Sequence, residues 1–448
     1  MPAPDDRFRY DSYAVDPAAG VVRCRYSTRT HTFTEQFSFV SGGAWDAPEV
    51  SAAARLLFLL AGVSYYKTSA APVIDLGHHG TTHRERVFLA DYYRAGLGEF
   101  AYRNGLDLDR LEVTGPDAAA DVVDYTPVPG RPLIPFGGGI DSIVTVDAVV
   151  REHPDASLFV VHPPSGRFGA IEDAAATTGL PVRRVVRALD AQVQRSAALG
   201  FLNGHVPVTA IVTAAALVAA TLDGRDAVVL SNEWSASVPT LVSDVRSVNH
   251  QWSKSEEFER RFGELVSDVL GQQVAVFSYL RPRTELWVAE RFATLTAFHH
   301  TFRSCNRAFH QDPSQRLERW CGVCDKCCFI DLVLAPFMER AELAAIFAGS
   351  EPLENPANEA RYHTLVGLGP DERPFECVGD VDECRVAVVL VANRPDRAQS
   401  ALLQKLRTAI VDAGPSAATV SASRMLEPRG PHRIPERYAP ADLLVRAR

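Results

Sequence analysis

The chain has no uninterrupted apolar run approaching the roughly 18 residues that a membrane-spanning helix needs, so a transmembrane anchor is not expected. Its first ten residues, Met1 to Tyr10, are polar and acidic, without the apolar stretch of an export signal. A cytoplasmic location follows as the expectation. Basic residues are outnumbered, 46 Lys and Arg against 55 Asp and Glu, for a formal net charge of -9. Phosphate-backbone binding needs a basic surface, so nucleic acid is excluded as a generic partner, though a local basic pocket for a small anion is not. Long low-complexity tracts are also missing, which argues against disorder. A disulfide framework is not expected either, because the cytosol keeps thiols reduced and the eight cysteines are unevenly placed.

What is present is a folded globular composition, 46% hydrophobic and 23% charged over 448 residues, long enough for two or three domains. Alternation of β-branched and aromatic residues with polar ones from Val21 to Val40 predicts a hairpin or two strands. Three- and four-residue apolar spacing predicts helices over Ala47 to Ala61 and Thr82 to Arg103, with a short strand at Val73 to Leu76. This first α+β domain, residues 1–128, ends at the Pro-rich stretch Thr126 to Pro132. The rhythm then becomes strand and helix in alternation. Strands are expected at Leu133 to Phe136, Ser157 to His162, Val182 to Arg187 and Ala227 to Ser231, and helices at Asp141 to Glu152, Ala170 to Thr178 and Val208 to Leu222. Such alternation predicts an α/β domain over 129–348, a doubly wound parallel sheet with helices on both faces and ligands at the carboxyl ends of its strands. A small C-terminal module, 349–448, is expected to hold one strand, Val386 to Val391, one helix, Gln399 to Val411, and a Pro/Arg-rich tail.

Two local patterns carry chemistry. The first is Leu133-Ile-Pro-Phe-Gly-Gly-Gly-Ile-Asp-Ser142, an apolar strand leading through three glycines into a helix. Glycines allow a sharp turn and bring bare N–H groups to an anion, and the helix N-terminus adds its positive dipole end. Asp141 suits Mg²⁺, and the Ser142 hydroxyl suits a phosphate oxygen. On glycine content alone, a tight strand-to-helix turn without a ligand is an equal alternative. No Gly-Lys-Ser/Thr ending is present, which argues against an ordinary P-loop. The second pattern is Cys305, then fifteen residues, then Cys321-x-x-Cys324-x-x-Cys327. Four thiolates converging on one tetrahedral ion leave no position for water, so Zn²⁺ there would be structural, clamping residues 301–328. Buried thiols at a helix start and an iron–sulfur cluster are the alternatives, and Cys328 competes with Cys327.

Polar clusters sit where an open sheet presents its ligand. Asn232-Glu233-Trp-Ser-Ala-Ser237 follows a predicted strand, and Val248-Asn-His-Gln-Trp-Ser-Lys-Ser255 comes soon after. Glu233 is a candidate proton acceptor or Mg²⁺ ligand, His250 an acid or base, and Lys254 a neutralising contact to phosphate or carboxylate. His205, ahead of the helix from Val208, either faces the ligand or caps that helix. Ser64-Tyr-Tyr-Lys67 and Ser278-Tyr-Leu-Arg-Pro282 suit a nucleobase or acidic group, and equally ordinary packing.

Gly138-Gly139-Ile140-Asp141-Ser142 resembles the pyrophosphate loop of N-type ATP pyrophosphatases (the PP-loop, adenine nucleotide alpha hydrolase-like enzymes), with Gly137 where that pattern has Ser. Ser304-Cys305 and Trp320-Cys-Gly-Val-Cys-Asp-Lys-Cys327 resemble the zinc site of 7-cyano-7-deazaguanine synthase, itself such an enzyme. Together with Pro374-Phe-Glu-Cys-Val-Gly379 and both polar clusters, these motifs make most of the chain similar to the UDP-N-acetylmuramoyl-L-alanyl-L-glutamate epimerases of peptidoglycan synthesis.

The resemblance implies that ATP is split to AMP and pyrophosphate to adenylate the terminal L-glutamate carboxylate. The acyl-adenylate can accept the charge of α-deprotonation, and reprotonation then gives D-glutamate. ATP, Mg²⁺ and structural Zn²⁺ are implied cofactors, the UDP-sugar dipeptide is the substrate, and the ligase that adds L-glutamate is the pathway neighbour. Gly137, Gly138, Gly139, Asp141 and Ser142 would cradle the nucleotide, and Glu233, His250 and His205 would shuttle protons with Lys254 neutralising charge. Two other readings stay open: an amide- or nitrile-forming enzyme that uses ammonia, and a non-catalytic ATP-binding scaffold prompted by the missing loop Ser.

Overall fold

The computed structural model describes residues 6–39, 42–119, 121–242, 247–310, 312–369, 372–414 and 421–444. The strands are β1 (Arg7–Asp16), β2 (Val21–Ser27), β3 (Thr32–Phe39), β4 (Val73–Asp75), β5 (Glu112–Thr114), β6 (Val128–Pro135), β7 (Ser157–His162), β8 (Val182–Ala188), β9 (Arg225–Leu230), β10 (Leu241–Val242), β11 (Ser247–Val248) and β12 (Ala275–Ser278). Ten of them form one sheet in the order β12-β9-β6-β7-β8-β3-β2-β1-β4-β5, while β10 and β11 pair separately. From β12 to β8 all neighbours are parallel. β3 joins β8 antiparallel, and β2 and β1 continue that sense before β4 and β5 return to parallel pairing. The sheet formed by β1 to β5, which ends at Thr114, is therefore continuous with the parallel sheet that follows it.

Consecutive side chains in the central strands enter opposite cores, as the two-residue period of a strand requires. Leu133 faces one core and Ile134 the other; Val228 and Leu230 face one, Ala227 and Val229 the other. The helices Pro48–Ala61, His83–Gly96, Val208–Leu222 and Glu256–Leu270 cover the first face, and Ile140–Val150, Gly169–Thr178, Glu285–Ala293 and Asp325–Leu334 the second. Burial on both sides explains why these strands read as near-continuous apolar runs.

The α/β expectation with a doubly wound parallel region agrees with this architecture, and the predicted hairpin is β2 and β3; Val40, the last residue of that expectation, lies outside the described residues. Some elements differ. The Pro-rich stretch read as a boundary supplies the first half of β6, with Pro132 and Pro135 inside the strand. Strands β1 and β12 were not anticipated. Val386 to Val391, expected as a strand, lies within the helix Val381–Ala392. A capping box closes that helix, Asp380 accepting from the Asp382 N–H and Glu383 from the Asp380 N–H. Its buried residues Cys384, Ala387, Val388 and Val391 follow a helical period, while Val389 stays 40% exposed. Capping and one-sided packing outweigh the strand preference of a valine-rich run. No helix among the described residues is long and apolar enough to cross a membrane.

Candidate active site

In the parallel region the chain runs from β6 through β7 to β8, then returns past β6 to add β9 and β12 on its other side. The crevice between β6 and β9 is thus the point where the winding reverses, which is where open sheets bind ligands. The loop after β6 and the loop after β9 meet there, around a cleft of about 420 Å³ lined by Gly137, Asp141, Ser142, Asn232, Lys254 and Lys326, among others.

Gly138 holds φ +74°, and a Cβ at this position would lie 2.5 Å from the Ala170 carbonyl oxygen, so only glycine fits. Gly139 is the N-cap of the helix Ile140–Val150, and a Cβ there would approach Ser304 Oγ to 2.9 Å. At Gly137 a Cβ would meet nothing within 4 Å. Ser142 donates from Oγ to the Gly139 carbonyl at 3.0 Å, and the Arg303 N–H donates to the Gly138 carbonyl at 3.3 Å. The loop is thereby tied to the cysteine-bearing segment. Unhindered backbone and a helix N-terminus facing a cleft with two lysines form a cradle that fits a polyphosphate.

Asp141, Glu233 and Glu285 place carboxylate oxygens within 4.8 Å of one another. Asp141 Oδ1 and Glu285 Oε2 are buried and have no hydrogen-bond partner. Burial and the neighbouring Glu233 push the Asp141 carboxyl up to about 7, only partly offset by Lys326 and Lys254, and burial with Asp141 likewise raises Glu285. Buried acids kept so close together are unfavourable by themselves, and an oxygen-loving divalent cation removes that penalty. The donor set fits Mg²⁺. Glu285 stands at the start of the helix Glu285–Ala293, where its backbone N–H donates to Glu383 Oε1 at 2.9 Å.

A second cluster lies beside the first. His250 Nδ1 donates to Glu99 Oε2 at 2.5 Å, Arg103 Nε donates to Glu99 Oε1 at 2.6 Å, and the rings of His250 and His205 have centroids 4.2 Å apart. Lys254 Nζ donates to Cys377 Sγ at 3.1 Å, and His250 lies near enough to interact electrostatically with the same sulfur. Burial works against a charged His250, but Cys377 and Glu99 more than compensate and hold it protonated to about 9. His205 is driven down to about 4 by burial and by the charge of His250. Burial also opposes the Cys377 thiolate, yet Lys254, His250 and Lys326 bring it down to about 6. Arg281, 1% exposed, braces this region: it donates to the carbonyls of Glu233 at 2.9 Å and Lys254 at 2.6 Å while pairing with Glu259 at 2.9 Å.

The Cys305, Cys321, Cys324 and Cys327 sulfurs converge within 4.8 Å of one another and could hold a metal ion. Cys328 is buried beside them and is not part of that set. The donor chemistry, four thiols with no carboxylate or open side, fits a closed structural site.

The sequence-predicted residues thus fall into two groups rather than one. Glu233 joins Asp141 and Glu285, whereas His250 and His205 join Glu99, with Lys254 close enough to be influenced by both Asp141 and Glu233. His205 does not cap its helix, whose N-cap is Pro207. Tyr65 and Tyr66 are core residues, and Lys67 donates to Asn203 Oδ1 and the Gly204 carbonyl. Glu99, Glu285, Glu383 and the placement of Cys377 were not foreseen. Only the quoted Pro374 to Gly379 motif hinted at the last.

Family models match almost the whole length: the MurL N-terminal domain over residues 2–279 and the MurL C-terminal domain over residues 301–421. The chain belongs to the MurL family. Its relatives include proteins named UDP-N-acetyl-alpha-D-muramoyl-L-alanyl-L-glutamate epimerase. That of Xanthomonas oryzae pv. oryzae (strain MAFF 311018) is 36% identical over 441 residues, 96% of this chain and 95% of the relative. That of Salinispora tropica is 35% identical, covering 97% and 95%. That of Micromonospora sp. (strain ATCC 39149) is 36% identical, covering 97% of each. In this MurL chain both matched regions contribute to the cleft, Asp141 and Lys254 from the first and Cys377 from the second.

Proposed function

We infer that this MurL chain is an isomerase, an ATP-dependent epimerase that converts the terminal L-glutamate of UDP-N-acetylmuramoyl-L-alanyl-L-glutamate to D-glutamate in the cytoplasm. The observation that carries the reading is the meeting, at the sheet's reversal point, of an anion cradle, a three-carboxylate cluster and a Cys–His–Lys group.

A hydrogen beside a carboxylate is almost impossible to remove, because the product carbanion would adjoin an anion. Adenylation relieves this. The substrate carboxylate attacks the α-phosphorus of ATP, pyrophosphate leaves, and the acyl-adenylate carbonyl can take up the electron pair as an enolate. The backbone N–H groups of residues 137–142 and the ammonium groups of Lys254 and Lys326 stabilise charge gathering on pyrophosphate. Mg²⁺ held by Asp141, Glu233 and Glu285 would neutralise phosphate oxygens. Zn²⁺ held by the four cysteines would clamp residues 301–328, and so fix Arg303 and Ser304 against the glycine loop. Proton transfer at the α-carbon belongs to the His250 cluster, and water then releases AMP. The reaction class that supplies the substrate is ligation of L-glutamate to the UDP-muramoyl-alanine precursor.

The test is incubation with the UDP-muramoyl dipeptide, ATP and Mg²⁺ in D₂O, measuring AMP, pyrophosphate, glutamate configuration and α-deuterium. Expected are AMP and pyrophosphate in equal amounts and deuterated D-glutamate without any need for ammonia. Absence of AMP under all conditions, or an ammonia-dependent amide product, contradicts the reading.

A further inference from the structure

Inversion at a carbon needs one group to remove a proton and another to return one to the other face. The cleft presents the Cys377 thiol, and the His250 imidazole lies beside it, near enough to favour the thiolate; each is held by a further partner. Glu99 accepts from His250 Nδ1, so this imidazole is oriented and its cationic form supported. Lys254 donates to Cys377 Sγ, and Lys326 donates to the Cys377 carbonyl. The segment that carries the thiol is strapped across three parts of the fold. Tyr102 donates to Glu372 at 3.0 Å, the Arg103 guanidinium lies 5.1 Å from the Phe375 ring centre, and Asn306 donates to Glu376 at 2.8 Å. Further on, Arg373 donates to the Gly379 carbonyl at 2.6 Å. A thiol held this firmly by ammonium and imidazolium partners, lining the cleft of the glycine loop, is not a packing residue.

We propose that Cys377 is the catalytic base that removes the α-proton of the L-epimer and that His250 is the acid that returns a proton to form the D-epimer. This rests on the epimerase reading above. The substrate α-carbon enters between sulfur and ring. The Cα–H bond breaks, its proton passes to the Cys377 thiolate, and the electron pair moves onto the acyl-adenylate carbonyl. His250 then gives its proton to the opposite face, and the pair returns from oxygen to form the new Cα–H bond. A thiol and a neutral imidazole remain, and once the product has left, the proton crosses from sulfur to nitrogen. The pair is reset without an outside acid. In the reverse direction, the same thiol and neutral imidazole act in exchanged roles.

The groups facing the thiol are Lys254, His250 and Lys326, with Glu376 alongside it, so that thiolate and imidazolium coexist between about pH 6 and about pH 9. Both fall near the working pH, where proton transfer is most efficient.

The experiment uses the full chain as C377A and C377S, checked first for metal content and unfolding temperature, with the L- and D-glutamate epimers of the substrate supplied separately with ATP and Mg²⁺ in D₂O. Inversion should fall by about 10²–10⁴-fold. AMP should still be released, and deuterium should enter the D-epimer without inversion but not the L-epimer. H250N should show the mirror pattern, with exchange confined to the L-epimer. Deuterium entering the L-epimer of C377A or C377S at the wild-type rate overturns the assignment. So does a substrate-dependent acyl adduct on Cys377 in the intact mass spectrum of the wild type, since the sulfur would then be a nucleophile. Loss of AMP release together with inversion also overturns it, placing the thiol in adenylation. A wild type that never releases AMP fails differently, by removing the parent reading.

Discussion

Lys254 Nζ lies 3.1 Å from Cys377 Sγ, although the two residues are 123 positions apart in the chain. Lys254 belongs to the turn that follows β11, and Cys377 to the strap before the helix Val381–Ala392. Both residues line the cleft, and their contact links the two regions matched by separate family models.

That contact predicts the reactivity of the thiol. Because Lys254, His250 and Lys326 lower it from the ordinary thiol range to about 6, the thiolate should be present above about pH 6. The rate of iodoacetamide modification at Cys377, read by peptide mass spectrometry, should rise with a midpoint near 6. In K254A, loss of the adjacent cation should move the midpoint up towards the ordinary thiol value. An unmoved midpoint would show that the ammonium does not control this sulfur.

The carboxylate cluster predicts a cation requirement. Asp141→Ala should lower AMP formation by about 10²–10³-fold, the scale for removing one transition-state charge stabiliser, with the fold intact. Mg²⁺ should raise the unfolding temperature of the wild type, by an amount corresponding to about 2.7 kcal/mol at a hundred times its dissociation constant. Neither Asp141→Ala nor Glu285→Gln should show a comparable rise in a thermal shift assay.

The glycines of the loop are not equivalent. Gly138→Ala must fit a Cβ 2.5 Å from the Ala170 carbonyl with the backbone in the left-handed region, so nucleotide binding should be lost and the chain destabilised. Gly137→Ser has open space around its Cβ and should keep AMP formation at or above the wild-type rate. Calorimetric ATP binding and AMP release for the two variants check both statements.

The four-sulfur site predicts a structural cost. Cys324→Ser should lower bound zinc and the unfolding temperature together, because a four-thiolate site stabilises the fold directly. Zinc content by elemental analysis and thermal unfolding measure it, and a metal-free variant of unchanged stability would remove the zinc assignment. Cys328→Ser, outside the set, should leave metal content unchanged.

What was legible in the chain was whatever is encoded over short distances. The glycine loop is contiguous, the cysteines Cys321, Cys324 and Cys327 are three apart, and the central strands and helices follow local periods, so the α/β winding, the glycine turn and the cysteine cluster could be read directly. The helix at Val381–Ala392 escaped because a valine run favours strands locally, and only the Asp380–Glu383 cap and a one-sided core decide otherwise.

The partnerships that make the site were decided by tertiary structure alone. Glu99 meets His250 across 151 positions, and Glu285 joins Asp141 and Glu233 only because β12 adds beside β9 and aims the next helix at the cleft. Sequence spacing holds no information on such contacts. Sheet order creates them, and burial in the cleft then strengthens every charge interaction among the residues it gathers.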